Sequence, residues 1–383
     1  MSPNGYVRLA ALSTCALIGL APMTTVVQAQ APAPSVAQGS GNSTMPQADQ
    51  DMQRVLAKLQ ELGAKPIGTL SPQETRQGPS PADAVKALVR DQGRDPAAMM
   101  AQMGVGKRDM EYPTAGGTQP IRIYTPEGAG PGPLPVIVYY HGGGWVIADL
   151  DTYEASAMAL ANKAQAIVAS VEYRHAPEHK FPAAHEDANA AYRWVVENAH
   201  RFNGDADRVA LAGESAGGNL ALNVAITARD QRLRRPAHML LVYPVAGTEF
   251  DTDSYQANAE AMPLNRQAMQ WFFNNTVAKP EDLQDPRLDL VGRANLRDLP
   301  PATVITAEID PLLSEGRTLA DKLRAAGVET TYQNFEGVTH EFFGMAPVVA
   351  DAEQAQELAA RELREALGTS AGVPAGAASG STR

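Results

Sequence analysis

One hexapeptide, Gly213-Glu214-Ser215-Ala216-Gly217-Gly218, constrains this chain more than any other. It joins a short apolar run, 208–212, to a longer stretch with apolar residues at Leu220, Val224 and Ala228. That spacing predicts a buried strand, a sharp turn and a helix. Gly-x-Ser-x-Gly between strand and helix is the nucleophile-elbow pattern: the glycines leave room for a turn that holds the serine strained and exposed. The helix N-terminus beneath the serine favours developing negative charge. A glycine-rich turn without chemistry would read the same, so the rest of the chain decides.

Composition narrows the classes. The 383 residues are 44% hydrophobic and 20% charged, an ordinary globular balance for one large domain or two small ones. A formal charge of −11, with no run of Lys or Arg, argues against a nucleic-acid surface. The start, 1–29, reads as a secretion signal. Arg8 is followed by an apolar stretch broken by Pro22, and Val27-Gln28-Ala29 resembles a cleavage site. The one cysteine, Cys15, falls inside this segment, so the mature chain would have neither a disulfide framework nor a thiol nucleophile. No later stretch is apolar enough to span a bilayer, and the expected location is periplasmic or secreted with no stable membrane anchor.

The Ala-, Pro-, Gln-, Ser- and Gly-rich stretch 30–50 predicts a disordered linker. Helical spacing follows at 51–62, and again at 81–89 with Ser80 as cap and Pro81 in the first position. These N-terminal helices, 51–104, are expected either to cap a site or simply to pack. From Lys107 the pattern turns to short strands: a hairpin over 107–112 and 119–124, then 134–140, 166–171, 208–212, 238–243, 302–306 and 329–335. Helical stretches at 153–163, 187–198, 264–275, 314–326 and 351–367 alternate with them. The alternation predicts an α/β domain over 105–367, with an eight-stranded, mostly parallel sheet, helices on both faces and an antiparallel first edge. The tail from Gly368 reads as unstructured.

A serine hydroxyl needs a base, and the base needs an orienting group. Past the ends of two successive expected strands stand Asp310, in Asp310-Pro311-Leu312, and His340, in Val338-Thr339-His340-Glu341-Phe342. Both loops leave the carboxyl edge of the sheet, where sites in open parallel sheets form. Serine, acid, histidine is the chain order such a fold requires. Directly after another strand comes His141-Gly142-Gly143-Gly144-Trp145. Glycine N–H groups there can approach an oxyanion with no side chain in the way, and the N–H of Ala216, after the serine, adds a donor.

These four motifs together resemble the hormone-sensitive-lipase family of α/β-hydrolase carboxylesterases, over roughly 70–367. The resemblance extends to Glu172-Tyr173-Arg174-His175-Ala176-Pro177-Glu178 and Phe181-Pro182-Ala183-Ala184. It implies Ser215 as nucleophile, Asp310 as acid and His340 as base, oxyanion donors from Gly143, Gly144 and Ala216, and a cap built by the N-terminal helices. It implies hydrolysis of short- to medium-chain acyl esters, a small-molecule ester as partner, and neither cofactor nor metal. The chain departs from the family at Ser314, which replaces an aspartate, at Glu341, which replaces a glycine, and at His175, which replaces an apolar residue. Glu341, beside the base, could raise the histidine pKa by charge proximity or simply point to solvent, and solvent is the expectation.

The remaining readings are structural. Arg174 and Glu178 are expected to support the glycine loop by ion pairing. The spacing of His175, His179 and His185 has no regular ligand geometry on one element and argues against a metal. Tyr243, Trp271, Phe272 and Phe273 could line an acyl pocket, though aromatics at helical spacing are more often core. An amidase, lactonase or peptidase would use the same triad, and a ligand receptor on this scaffold would lack the base. Oligomeric state, a homodimer included, is not legible.

Overall fold

The computed structural model describes residues 47–369 except Pro131. The expected signal segment, Cys15, most of the linker and the tail beyond residue 369 lie outside them. Four helices come first: α1 (Gln50–Glu61), α2 (Pro72–Gln77), α3 (Pro81–Asp91) and α4 (Pro96–Gln102). The helix α1 begins within the stretch assigned to the linker, because Asp49 N–H donates to Gly337 O at 2.8 Å and anchors the entry. Ser80 caps α3 through a reciprocal box with Asp83, with Pro81 in the first turn. Ser71-Pro72-x-Glu74 builds the same box at α2.

The strands are β1 (Val105–Thr114), β2 (Gly117–Pro126), β3 (Leu134–Tyr140), β4 (Ile167–Val171), β5 (Gly204–Glu214), β6 (Met239–Val242), β7 (Ala302–Ile309) and β8 (Thr330–Thr339). They form one eight-stranded sheet in the order β1-β2-β4-β3-β5-β6-β7-β8. Pairs β1–β2 and β2–β4 are antiparallel and all others parallel, as expected. Between and after the strands lie α5 (Glu154–Ala164), α6 (Ala183–Asn198), α7 (Ala216–Asp230), α8 (Asp253–Ala257), α9 (Arg266–Thr276), α10 (Leu290–Arg293), α11 (Leu313–Ala325) and α12 (Ala350–Leu367).

The unbroken apolar run of β3 explains the two layers. Val136, Val138 and Tyr140 face a core with α6, α7, α9 and α11, while Ile137 and Tyr139 face another with α1, α3, α5 and α12. Each such aliphatic side chain, removed from water, contributes roughly 1.5–3 kcal/mol. Strand order reverses at β3, flanked by β4 and β5, and ligands in open α/β sheets bind outside the strand ends at such a switch. Tyr140 pairs with Gly213 there, so the glycine loop and the elbow leave the sheet side by side. No helix among the described residues is long and apolar enough to cross a membrane.

Candidate active site

Ser215 sits between β5 and α7 with φ 56° and ψ −120°, a backbone conformation that non-glycine residues rarely hold. The turn is possible because Gly217 presses against the backbone carbonyls of Tyr140 and His141, where a Cβ would collide. The strain is stabilised from below by Glu214, whose buried carboxyl accepts from Tyr139 Oη at 2.6 Å and from Tyr243 Oη. Burial, reinforced by the charge of Glu341, raises the Glu214 pKa to about 7. This support was not anticipated from sequence. Tyr243 meets Glu214 only because β6 runs beside β5, and its ring also lies 4.5 Å from the His340 ring.

The three expected residues meet. Asp310 follows β7 and His340 follows β8, and those strands are parallel neighbours. The Nδ1 of His340 lies 2.6 Å from Asp310 Oδ2, and its Nε2 lies 2.9 Å from Ser215 Oγ. In the neutral imidazole, Nδ1–H donates to the carboxylate and Nε2 accepts from the hydroxyl. All three side chains are buried. The acid's loop is itself held: Leu312 N–H donates to Asp310 Oδ1 at 2.9 Å, and Asn258 Nδ2 donates to Asp310 O at 3.2 Å. Ser314 takes part, since its Oγ accepts from Ser254 N–H at 3.1 Å and its N–H donates to Ser254 Oγ at 3.0 Å. The departure at residue 314 thus ties the loop to α8.

The glycine loop closes the other side. Gly143 O accepts from the N–H groups of Val146 and Ile147 at 3.0 and 2.9 Å, which turns that carbonyl away from the pocket. Tyr173 Oη holds the carbonyls of His141 and Gly142 at 2.9 and 3.1 Å. Among the described hydrogen bonds none uses the N–H of Gly143 or Gly144, and both residues line one cavity with Ser215 and His340. Ala216 opens α7, where the first N–H groups have no partner within the helix. The N–H groups of Gly143 and Gly144 are thus without a partner among the described hydrogen bonds, and that of Ala216 stands in the open first turn of α7.

That cavity, of about 260 Å³, is roofed by the N-terminal segment, through Leu59, Ile67, Leu70 and Arg76, and by Met262–Asn265 with Met269 and Phe272. Of the four candidate pocket aromatics only Phe272 lines it; it packs so close under Gly144 that a Cβ there would strike its ring. Phe272 and Phe273 are buried in one core with Trp271 partly buried against it, and Tyr243 is buried in the other. Arg76 fastens this roof to the site: it donates to Val146 O and Ala176 O at 2.8 and 2.7 Å and grips both oxygens of Glu178 at 2.7 Å. Glu178 thus supports the loop through a cap residue that the sequence did not single out. Arg174 instead pairs with buried Asp187, at 2.8 and 2.7 Å.

One expectation is corrected. Glu341 does not face solvent: its Oε1 accepts from Tyr153 Oη at 2.6 Å and lies 3.7 Å from His340 Nε2, on the cavity wall. The residue adopts φ 74°, which swings its side chain back over the histidine. Burial lowers the His340 pKa, but the opposing charge of Asp310, followed by that of Glu341 and Glu214, wins and leaves it raised. Burial also raises the Glu341 pKa, against the pull of His340 and Tyr153. Removing the Glu341 charge must lower the pKa of His340. In Glu341→Gln the acid limb of the kcat/KM–pH profile, which reports the free enzyme's base, moves to lower pH. A profile that overlays the wild type would show that Glu341 exerts no field on the base.

A protein-family model described as the alpha/beta hydrolase fold matches residues 137–344. The carboxylesterase NlhH of Mycobacterium tuberculosis is 40% identical over 290 residues, covering 74% of this chain and 89% of that protein. The ethyl acetate hydrolase of Pseudomonas putida is 34% identical over 254 residues, covering 66% and 80%. Among solved structures, a thermostable esterase from Pseudomonas putida superposes with a TM-score of 0.74 at 31% identity, covering 85% of this chain and 99% of that one. A hyperthermophilic esterase from Pyrobaculum calidifontis gives 0.72 at 32% identity, covering 84% and 99%.

Proposed function

This chain belongs to the hormone-sensitive-lipase-like family of α/β-hydrolase carboxylic ester hydrolases, and we propose that it hydrolyses short- to medium-chain acyl esters through an acyl-enzyme on Ser215. The observation that carries this reading is the unbroken hydrogen-bonded chain Asp310–His340–Ser215, which opens into a cavity lined by unpartnered N–H groups.

The steps follow from the geometry. Ser215 Oγ attacks the ester carbonyl as its proton passes to His340 Nε2, already 2.9 Å away. Asp310 holds the required tautomer and stabilises the imidazolium. The carbonyl oxygen becomes an oxyanion beside the N–H groups of Gly143, Gly144 and Ala216, with the N-terminus of α7 adding favourable potential. Collapse expels the alcohol, which takes the proton from Nε2. Water then repeats the sequence on the acyl-enzyme and restores Ser215.

The cavity volume supports the chain-length part of this reading. A cavity of about 260 Å³ is small beside typical ligand pockets of roughly 300–1,000 Å³, which suits short acyl groups. In a series of aryl esters from acetyl to palmitoyl, kcat/KM is expected to peak at short or medium chains. A maximum at palmitoyl would reject the chain-length reading. No turnover of any ester by folded protein would reject the esterase and direct the search to amides or lactones.

A further inference from the structure

Behind the glycine loop, away from the reacting atoms, three metal-binding side chains converge. His141 follows β3 and Glu172 follows β4; because Tyr140 pairs with Val171, the two residues emerge side by side. The segment after β4 brings His175 back over them. His141 Nε2 lies 3.2 Å from Glu172 Oε1, His175 Nε2 lies 3.1 Å from the same oxygen, and the three atoms all fall within 4.8 Å of one another. The histidines whose spacing was weighed in the sequence do not assemble: His185 instead meets Asn219 at 2.9 Å, inside the core.

The proton inventory at this point is incomplete. His141 Nδ1 is 2.8 Å from Gly142 O and Nε2 is 3.2 Å from Glu172 Oε1, both acceptors, so a neutral ring with its proton on Nδ1 leaves Nε2 without one. In the neutral ring Nε2 then presents a lone pair to a carboxylate oxygen. His175 Nε2 is buried near that oxygen yet out of alignment for a hydrogen bond, and has no other partner. Two imidazole nitrogens and one carboxylate oxygen thus share a small volume that calls for positive charge.

We propose that His141, Glu172 and His175 form a site for a divalent transition-metal ion of the zinc class, with water completing the shell. Zinc bonds of about 2.0–2.1 Å in tetrahedral array hold ligand atoms roughly 3.3 Å apart, close to the separations found here. Imidazole nitrogen suits zinc, copper and nickel, whereas calcium and magnesium prefer all-oxygen shells. The ligands are also held from outside as such ligands usually are. His141 donates Nδ1–H to a carbonyl, and Glu172 accepts from the N–H groups of Leu150 and Tyr173, each at 3.3 Å. Glu172 and His175 keep 15% and 18% of their side-chain surface exposed, which gives an ion a way in. Bound there, the ion fixes the residue that leads into Gly142–Gly144 and so stiffens the loop. The site shares no residue with the proposed triad, so its failure would leave the esterase reading intact.

The test is titration of chelator-treated, dialysed protein with zinc chloride, followed by calorimetry and thermal unfolding. One saturable ion per chain is expected, with a midpoint that climbs as zinc is added. His175→Leu, with its fold checked by circular dichroism, loses both effects; His175→Gln does the same without introducing an apolar side chain. Glu341→Gln, which removes the carboxylate beside His340, keeps both. Saturable one-to-one binding that survives in both His175 variants, or is abolished by Glu341→Gln alone, overturns the assignment. So does a wild type that binds no zinc, which would leave the cluster with protons only.

Discussion

Replacing Ser215 by alanine is expected to lower ester kcat on the order of 10⁶-fold, and replacing His340 by alanine to cost about as much. The double variant should be no worse than either single one. Nucleophile and base act as a unit: without Oγ there is no acyl-enzyme, and without Nε2 nothing takes the proton of the hydroxyl whose oxygen lies 2.9 Å from it. The fold should survive in Ser215→Ala, because the strain at φ 56° is a cost and the loss of one hydroxyl leaves the Glu214 support in place. What remains of the rate is the contribution of the oxyanion donors and binding. Rates measured with active-site titration of the wild type, and purification that excludes contaminating hydrolases, check this directly. Additive losses in the double variant would mean that the two residues work in separate steps.

The second large effect is expected at Gly143. Its φ of 95° lies where only glycine is at ease, and a Cβ would run into the backbone carbonyl of Ile147. Gly143→Ala therefore has to move the loop, and with it the N–H groups proposed to bind the oxyanion. Loss of one oxyanion donor typically lowers kcat ~100–1,000-fold, and a displaced loop removes at least one. KM should change far less, because the donors bind charge that exists only in the transition state. A variant that melts like the wild type and keeps its kcat would show that the oxyanion is stabilised elsewhere. The corresponding change at Gly144 is a poorer probe, since a Cβ there would collide with Phe272 and alter the pocket as well.

Both predictions rest on residues that the sequence made legible, and the reason is physical. Ser215, Asp310, His340 and Gly143 each lie at the carboxyl end of a strand, and a short run of apolar residues locates those ends without knowledge of what packs where. Parallel neighbours β7 and β8 then bring the acid and the base together by topology alone. The eight strands and their antiparallel edge followed from the same local patterns.

What escaped depended on side chains meeting across large separations. Arg76 finds Glu178 102 residues away, and Tyr153 finds Glu341 188 residues away, and nothing local announces either pair. Nothing local to Glu341 decides between solvent and the histidine, and a carboxylate beside a buried histidine is costly to desolvate. The hydroxyl of Tyr153 offsets that cost, and the left-handed backbone at residue 341 turns the side chain inward. His175 was weighed with its sequence neighbours, yet its partners come from β3 and β4. The helix α2 was passed over although Ser71, Pro72 and Glu74 carried its start signal; at six residues it has too short a span for periodicity to register.

The account turns on Ser215 becoming acylated, and covalent trapping tests that most directly. Intact protein treated with an aryl phosphonate ester should take up one phosphonyl group as activity falls to zero, and digestion followed by mass spectrometry should place it on Ser215. Ser215→Ala should take up none. Full inactivation with the label on another residue, or full activity after Ser215 is shown to be blocked, would contradict the mechanism.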